Sequence, residues 1–359
     1  MRIAIEVTTP AQLHFWKNII RNLEKKGHDI LLILHQQKST LSLAEELGMK
    51  YEIVGEHKKG LCGKILTSIS IIFALKKKIE NFKADICIGE ICTIFAAWLL
   101  RKPSIIFEDD EVTWMQRFFY RPFVTTVITP HGFRADFGKK HVRMKGYKEL
   151  AYLIPKYFSP DKSILRSLGF NKNEKFIILR WNTWDAIHDV GKTGFDKDFI
   201  VAAIEELEHY AKVLISSERE LPQELQKYAV NIPFSKVHSL LNYASLLISD
   251  TQTMTTEAVV LGTPAVRSNS FVGPDDMSNF IELEKDYGLL FNFKQPKDAI
   301  RKAIELIQIP NLKRTWAKKR EKLLSDKIDA AAFMTWFIEN YPESSKIMKE
   351  NPNYQDRFS

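Results

Sequence analysis

Cysteine is scarce: there are three in 359 residues, Cys62, Cys87 and Cys92. The number is odd and no His or Cys partner stands at zinc-binding spacing. Neither a disulfide framework nor a structural zinc site therefore organises the chain, and the three read as reduced packing residues. Long apolar runs are lacking too. The longest uncharged one, Ile65 to Leu75 between Lys64 and Lys76, falls well short of the ~20 residues a membrane-crossing helix needs. The opening MRIAIEVTTP has no extended apolar core and carries Glu6, which argues against a secretory leader and for a cytosolic protein. Repeats and low-complexity tracts are missing, and 45% hydrophobic residues is ordinary for a globular chain long enough to hold two cores.

Charge of one sign is short in only part of the chain. Residues 1–155 carry 24 Lys and Arg against 16 Asp and Glu, whereas residues 156–359 carry 28 of each, so the first half holds the whole net charge of +8. That asymmetry points to an anionic partner for the first half, with no call for nucleic acid. The Ile65 to Leu75 run followed by Lys76, Lys77 and Lys78 fits either an anionic membrane surface or, as the favoured reading, a core helix with a solvated basic end.

Hydrophobic periodicity predicts two doubly wound α/β units. In the first, Ile3 to Val7 is a strand, Ala11 to Lys26 an amphipathic helix stopped by Gly27, and Ile30 to Leu34 a strand. Further strands are expected at Asp85 to Gly89, Ser104 to Phe107 and, completing the set, Val124 to Ile128. The second restarts with strand Phe176 to Arg180, helix Phe199 to Tyr210, strand Lys212 to Ile215, a helix near Leu221 to Tyr228, strand Ala229 to Ile232 and helix Lys236 to Ala244. Pro155 and Pro160 mark the break, which gives expected domains at 1–155 and 156–325 and a C-terminal helix and tail at 326–359.

The segment Leu246 to Arg267, LLISDTQTMTTEAVVLGTPAVR, carries the clearest chemistry. A short apolar strand ends in Ser249 and Asp250. The polar turn Thr251, Gln252, Thr253 opens a helix, Gly262 stops it, and Pro264 starts the next strand. A helix N-terminus at the carboxyl end of a parallel strand presents free N–H groups and a positive dipole end, which suit a diphosphate. Met254, Ala258 and Leu261 would form the buried stripe, and Glu257 beside it could accept hydrogen bonds from two ribose hydroxyls. An ordinary first-turn acid is the plainer alternative; a capping box is not, because Thr253 precedes Glu257 by four residues instead of three.

This stretch resembles the nucleotide-binding signature of two-domain GT-B enzymes, notably the peptidoglycan N-acetylglucosaminyltransferase and the UDP-N-acetylglucosamine 2-epimerases. Thr251 and Gln252 stand where those families carry small glycines. The chain also resembles, over most of its length, a largely archaeal GT-B-like family with no assigned activity, through TPAQLHFWKNII, KGYKELAYL, LRWNTWDAIHDVG and SDTQTMTTEA. The fold so implied is two Rossmann-like domains with the last helix, Ile328 to Asn340, returning to the first.

In open parallel sheets ligands lie beyond the carboxyl ends of strands, so the loops after each strand hold the candidates. Pro10 to Ile33 resembles the opening of family 1 glycosyltransferases, and His14 matches the catalytic-base position there; a phosphate contact or a helix cap are its alternatives. After the next strands come Glu90 and the run Glu108, Asp109, Asp110, Glu111. That run is either a crowded acid–base crevice or a set of partners for the domain's own basic surface. DICIGEICTIFAAWLLRKPSIIFEDDE resembles the 2-epimerase pattern, which implies catalytic acids at Glu90 and Glu108. The GT-B resemblance also implies metal-independent chemistry with no cofactor, a nucleotide sugar, UDP-linked as first choice, being the substrate.

From the second half, Arg180, Arg219 and His188 follow strands and could neutralise a diphosphate, with Arg180 the best placed. Arg267 resembles an Arg of the 2-epimerases. His188 could equally be a loop hydrogen-bonder, and Trp181 and Trp184 could be core or could stack a sugar. The expectation is a cytoplasmic nucleotide-sugar-dependent glycosyltransferase acting between two domains, with 2-epimerisation as the alternative. A noncatalytic nucleotide-sugar or polyanion binder is the rival of another class. The acceptor is expected to be lipid-linked or otherwise anionic, with the first half meeting the inner face of the membrane.

Overall fold

The computed structural model describes residues 1–55, 61–112, 114–171, 174–181, 195–217 and 220–359; for 61–66 and 114–116 it describes the backbone only. Contacts divide the chain into two compact units, Met1–Tyr152 with Lys327–Ser359, and Leu153–Asp326.

In the first unit, strands β1 (Arg2–Val7), β2 (Asp29–His35), β3 (Glu52–Val54), β4 (Ile86–Ile88), β5 (Ser104–Phe107), β6 (Thr126–Pro130) and β7 (His141–Met144) alternate with helices α1 (Pro10–Lys25), α2 (Lys38–Glu46), α3 (Leu61–Phe82), α4 (Ile91–Leu99) and α5 (Trp114–Tyr120). The strands pair in parallel in the order β3-β2-β1-β4-β5-β6-β7. Burial of Ile3, Ala4, Ile5 and Val7 on both faces of β1 is the mark of a sheet covered by helices on each side. The sequence pattern identified neither β3 nor β7. The first has three residues, and the second alternates buried Val142 and Met144 with His141 and Arg143, a half-buried edge in place of an apolar run.

The second unit holds α6 (Ser163–Ser167), β8 (Phe176–Trp181), α7 (Lys197–Leu207), β9 (Lys212–Ser217), α8 (Val237–Tyr243), β10 (Leu246–Ser249), α9 (Thr253–Leu261), β11 (Ala265–Ser268), α10 (Ser278–Lys285), β12 (Leu290–Phe293), α11 (Pro296–Ile307) and α12 (Leu312–Asp326). Its parallel order is β12-β11-β10-β8-β9. Two expectations fail here. Gln223–Tyr228 is a 3-10 helix behind Pro222, and Ala229 to Ile232 forms no strand: Ala229 makes one bridge to Ile215. That stretch lies beside the edge strand β9 with Ala229 exposed, and Pro233 closes it, so it has no apolar face to bury.

The chain then returns to the first unit as α13 (Ala330–Glu339) and α14 (Glu343–Glu350). Helix α13 packs along α1, with Phe333, Met334, Phe337 and Ile338 fully buried. Among the described residues, no helix is long and apolar enough to cross a membrane.

Candidate functional site

Each sheet reverses its winding once, between β1 and β4 in the first unit and between β8 and β10 in the second. The loops that leave adjacent strands at such a point run to opposite faces and open a crevice. The candidate residues cluster at these two places.

In the first unit, Thr9 caps α1 by accepting from the Gln12 amide at 3.3 Å, and Pro10 at the first helical position suits that start. The cap is therefore Thr9, which corrects the alternative that His14 caps the helix. The Gln12 side chain is held by Thr8, whose N–H and hydroxyl both donate to Oε1 at 2.8 Å, and its Nε2 donates to Glu90 Oε1 at 2.5 Å. Beneath lies Glu6, which in the sequence counts only against a secretory leader. Its Oε1 meets His35 Nε2 at 2.7 Å and its Oε2 accepts the Glu90 amide at 2.9 Å. Gly89 permits this: a Cβ there would sit 2.7 Å from Glu6 Cβ.

The four-acid run separates by function. Glu108 is buried, accepting from the Tyr120 hydroxyl at 2.7 Å and the Asp110 amide at 3.2 Å. Asp109 pairs with Lys148 at 2.6 Å, and Glu111 accepts the Arg134 amide at 2.6 Å. Of this run, Asp109 and Glu111 thus have basic residues of the same domain as partners, while Glu108 lies buried. Burial, then the negative charges of Glu108, Glu6 and Asp109, push the Glu90 carboxyl up to about 8 against the pull of Gln12. Burial pushes Glu108 up to about 7, opposed by the Tyr120 hydrogen bond and raised further by Asp110 and Asp109. Burial would raise Glu6 as well, yet the His35 hydrogen bond and charge hold it below the ordinary range. Two adjacent carboxyls therefore change protonation near neutral pH, while the third stays ionised.

His14 is buried on α1, stacked on Tyr152 with ring centroids 5.4 Å apart, and Lys17 Nζ lies 3.1 Å from its Nδ1. An ammonium has only protons to offer, so Nδ1 must accept and the ring proton sits on Nε2. In this arrangement His14 presents a donor.

In the second unit, β10 ends in Ser249, whose Oγ accepts the Thr251 amide at 2.9 Å and lies 2.9 Å from Thr251 Oγ1, closing the turn into α9. Gln252 is the helix cap residue and makes no side-chain cap bond. Thr251, Gln252 and Thr253 are half-buried. Gly262, at φ 76°, ends the helix as expected. The amphipathic stripe of Met254, Ala258 and Leu261 is not observed. Residues Thr255 to Leu261 are all buried because α8, α12, β10 and β11 surround the helix, while Met254 is partly open.

Glu257 is buried with its Oε1 2.9 Å from His238 Nε2 on α8. His238 has no sequence signal linking it to this site; only the packing of α8 on α9 brings it there. Asp250 is fully buried, its backbone carbonyl accepting from Asn269 Nδ2 at 3.0 Å and its Oδ2 accepting the Phe195 amide at 3.4 Å. Arg180, the last residue but one of β8, donates from Nη1 to Ser216 Oγ at 3.1 Å.

Arg267 differs from the expected substrate contact. It is fully buried, with Nη1 and Nη2 donating to the two Asp276 carboxylate oxygens at 2.8 and 3.0 Å, Nη1 also to Asn292 at 2.9 Å, and the guanidinium over the Phe280 ring at 3.8 Å. The geometry supports a scaffold role, because both terminal nitrogens are engaged by Asp276 and Asn292 inside the core, while Nε is buried without a partner. Trp181 is core, its indole N–H donating to the Phe195 carbonyl at 2.8 Å. Arg219, His188 and Trp184 lie outside the described residues.

Residues 1–323 match the family model described as protein of unknown function (DUF354). The chain belongs to this family. A relative from Methanocaldococcus jannaschii, named uncharacterized protein MJ0665, is 23% identical over 278 residues, covering 73% of this chain and 80% of its own. The fold is that of GT-B nucleotide-sugar enzymes. S. aureus MnaA, solved with UDP, superposes with a TM-score of 0.68 at 13% identity, covering 96% of this chain and 97% of its own. The M. jannaschii UDP-GlcNAc 2-epimerase in complex with UDP-GlcNAc and UDP superposes at 0.63 with 16% identity, covering 87% and 94%. The spinosyn rhamnosyltransferase SpnG, complexed with spinosyn aglycone, gives 0.61 at 12% identity, covering 95% and 100%.

Proposed function

We propose that this protein is a nucleotide-sugar enzyme whose proton transfers run through Glu90 and Glu108, with 2-epimerase-like chemistry ahead of glycosyl transfer. The observation that carries this reading is the presence of two desolvated carboxyls at the ends of the adjacent strands β4 and β5, next to the sheet's reversal between β1 and β4. Inverting a carbon that bears hydrogen needs one group to take the proton and another to return one on the opposite face. Carboxyls poised near 7 and 8 can each do either at neutral pH. Tyr120 and Gln12 orient the two groups, and the Glu6–His35 pair fixes the Glu90 backbone.

In the second unit, the α9 start would receive the diphosphate, Arg180 would offset its charge, and Glu257, oriented by His238, would accept from the ribose. The substrate on this reading is UDP-linked, following what MnaA and the M. jannaschii 2-epimerase bind. Glycosyl transfer is the second reading. It is favoured by the position of His14 near the start of α1, just beyond β1, and it requires the other tautomer, with the proton on Nδ1 and the Lys17 contact released, so that Nε2 can accept the proton of the acceptor hydroxyl.

The deciding experiment incubates the protein with UDP, GDP, CDP and dTDP sugars in deuterated water and follows nucleotide release, sugar identity and isotope content by mass spectrometry. Epimerisation predicts deuterium in the sugar without any acceptor. Glu90→Gln and Glu108→Gln should each lower turnover on the order of 100-fold or more with nucleotide binding retained, and His14→Ala should be mild. Nucleotide release that needs an acceptor and disappears in His14→Ala would establish transfer instead. Binding without turnover of any donor would leave a noncatalytic binder.

A further inference from the structure

Large apolar side chains stand exposed on three successive helices of the first unit. Phe118 and Phe119 on α5 are 70% and 67% accessible, Phe73 on α3 60% and Trp98 on α4 51%, with Ile69 and Leu99 beside them. Helix α3 explains how. Ile71, Leu75 and Ile79 bury one face, which leaves Ile69, Phe73 and Lys77, at four-residue spacing, on the other. The three helices are neighbours: Cys92 on α4 reaches the Ser68 carbonyl on α3 at 4.0 Å, and Trp98 packs edge-on against Phe123, just after α5, at 4.9 Å. The surroundings are predominantly basic. Residues 61–83, 91–103 and 114–123 contain nine Lys and Arg and a single acid, Glu80, which is paired with Lys76; Lys78 is paired with Glu52 of β3, and Arg117 turns to the Asp110 and Glu111 carbonyls.

We propose that this face of α3, α4 and α5 is a docking surface for an anionic lipid bilayer, the aromatic groups entering the headgroup boundary and the Lys and Arg residues meeting lipid phosphates. Aromatic side chains at the level of the headgroups with a basic rim are the composition that partitions to such an interface. An apolar protein interface would be depleted of charge at its core, in contrast to the concentration of cations here. The inference does not depend on the proposed reaction. It locates on a surface the charge excess of residues 1–155, and it uses the outer face of α3 while the inner face stays core.

The test is sedimentation of the full-length protein with vesicles of phosphatidylcholine alone and of equal parts phosphatidylcholine and phosphatidylglycerol. Binding is expected to the anionic vesicles at low salt and to fall steeply as salt is added. Lys77→Glu and Arg101→Glu should each weaken it about fivefold, and Trp98→Ser combined with Phe119→Ser about tenfold. Lys77, Arg101 and Phe119 are exposed and Trp98 is half-exposed beside Phe123, so thermal melts by circular dichroism should show at most a small shift and exclude misfolding as the cause. Equal binding to both vesicle types would overturn the proposal. So would full binding by the aromatic double variant, or capture of soluble polyglutamate as tightly as anionic vesicles, which would mark a patch for an acidic protein.

Discussion

The two units wind the same kind of parallel sheet and reverse it once each, yet they furnish the reversal point with opposite chemistry. In the first unit the strand ends β1, β4 and β5 deliver carboxyls into a place with little water, and their mutual repulsion adds to the cost of burial, so Glu90 and Glu108 retain protons near pH 7 to 8. In the second, β10 and β11 deliver hydroxyls, amides and a helix start, and the one strong cation at their ends is locked into the core by Asp276. Architecture alone thus says where a crevice lies. The side chains at strand ends decide whether it is suited to moving protons or to holding an anion.

The largest test of this contrast concerns the locked cation. Arg267→Ala would leave Asp276 charged in the core and is expected to destabilise the protein by about 3 to 5 kcal/mol, read by urea unfolding. Arg267→Met together with Asp276→Asn should recover much of that loss. If Arg267→Ala cost almost nothing in stability while abolishing nucleotide binding, Arg267 would return to the list of ligand contacts and the two crevices would look more alike.

Glu257 sharpens the comparison from the binding side. Glu257→Ala should weaken UDP binding by about 1 to 3 kcal/mol in calorimetry, as the loss of charge-assisted hydrogen bonds predicts. Because it also strands the buried His238, some stability should go with it, and Glu257→Gln, which keeps an acceptor for His238, should separate the two effects. Unchanged affinity in both variants would remove the ribose role.

The smallest effect is a pH dependence confined to the first unit. Carboxyls whose folded values are raised bind protons more tightly folded than unfolded, so their contribution to stability is lost as pH rises from the ordinary carboxyl range toward about 8 and levels off above it. Glu90→Gln should flatten that decline and stabilise the protein on the order of 1 kcal/mol at the alkaline end after allowance for solvent screening. Identical slopes for Glu90→Gln and the parent protein would mean that Glu90 is ionised throughout.

Much of the frame was legible without coordinates. Strand β5 falls at Ser104 to Phe107 as the apolar run predicts, and the β10–turn–α9–Gly262 unit follows the order of its residues. Both succeed because short-range propensity and turn chemistry are written in neighbouring residues. Strands β3, β7 and β12 drew no expectation, and the strand expected at Ala229 to Ile232 is absent, because their fate depends on what lies beside them in the sheet, not on their own pattern. The His238–Glu257 contact joins residues 19 apart, and the Glu6 carboxylate meets the amide of Glu90 across 84 residues. By itself the sequence determined which residue types end each strand. Only the tertiary structure decided which of them are partnered and which are stripped of water, since desolvation and pairing are set by groups the fold brings together from distant parts of the chain.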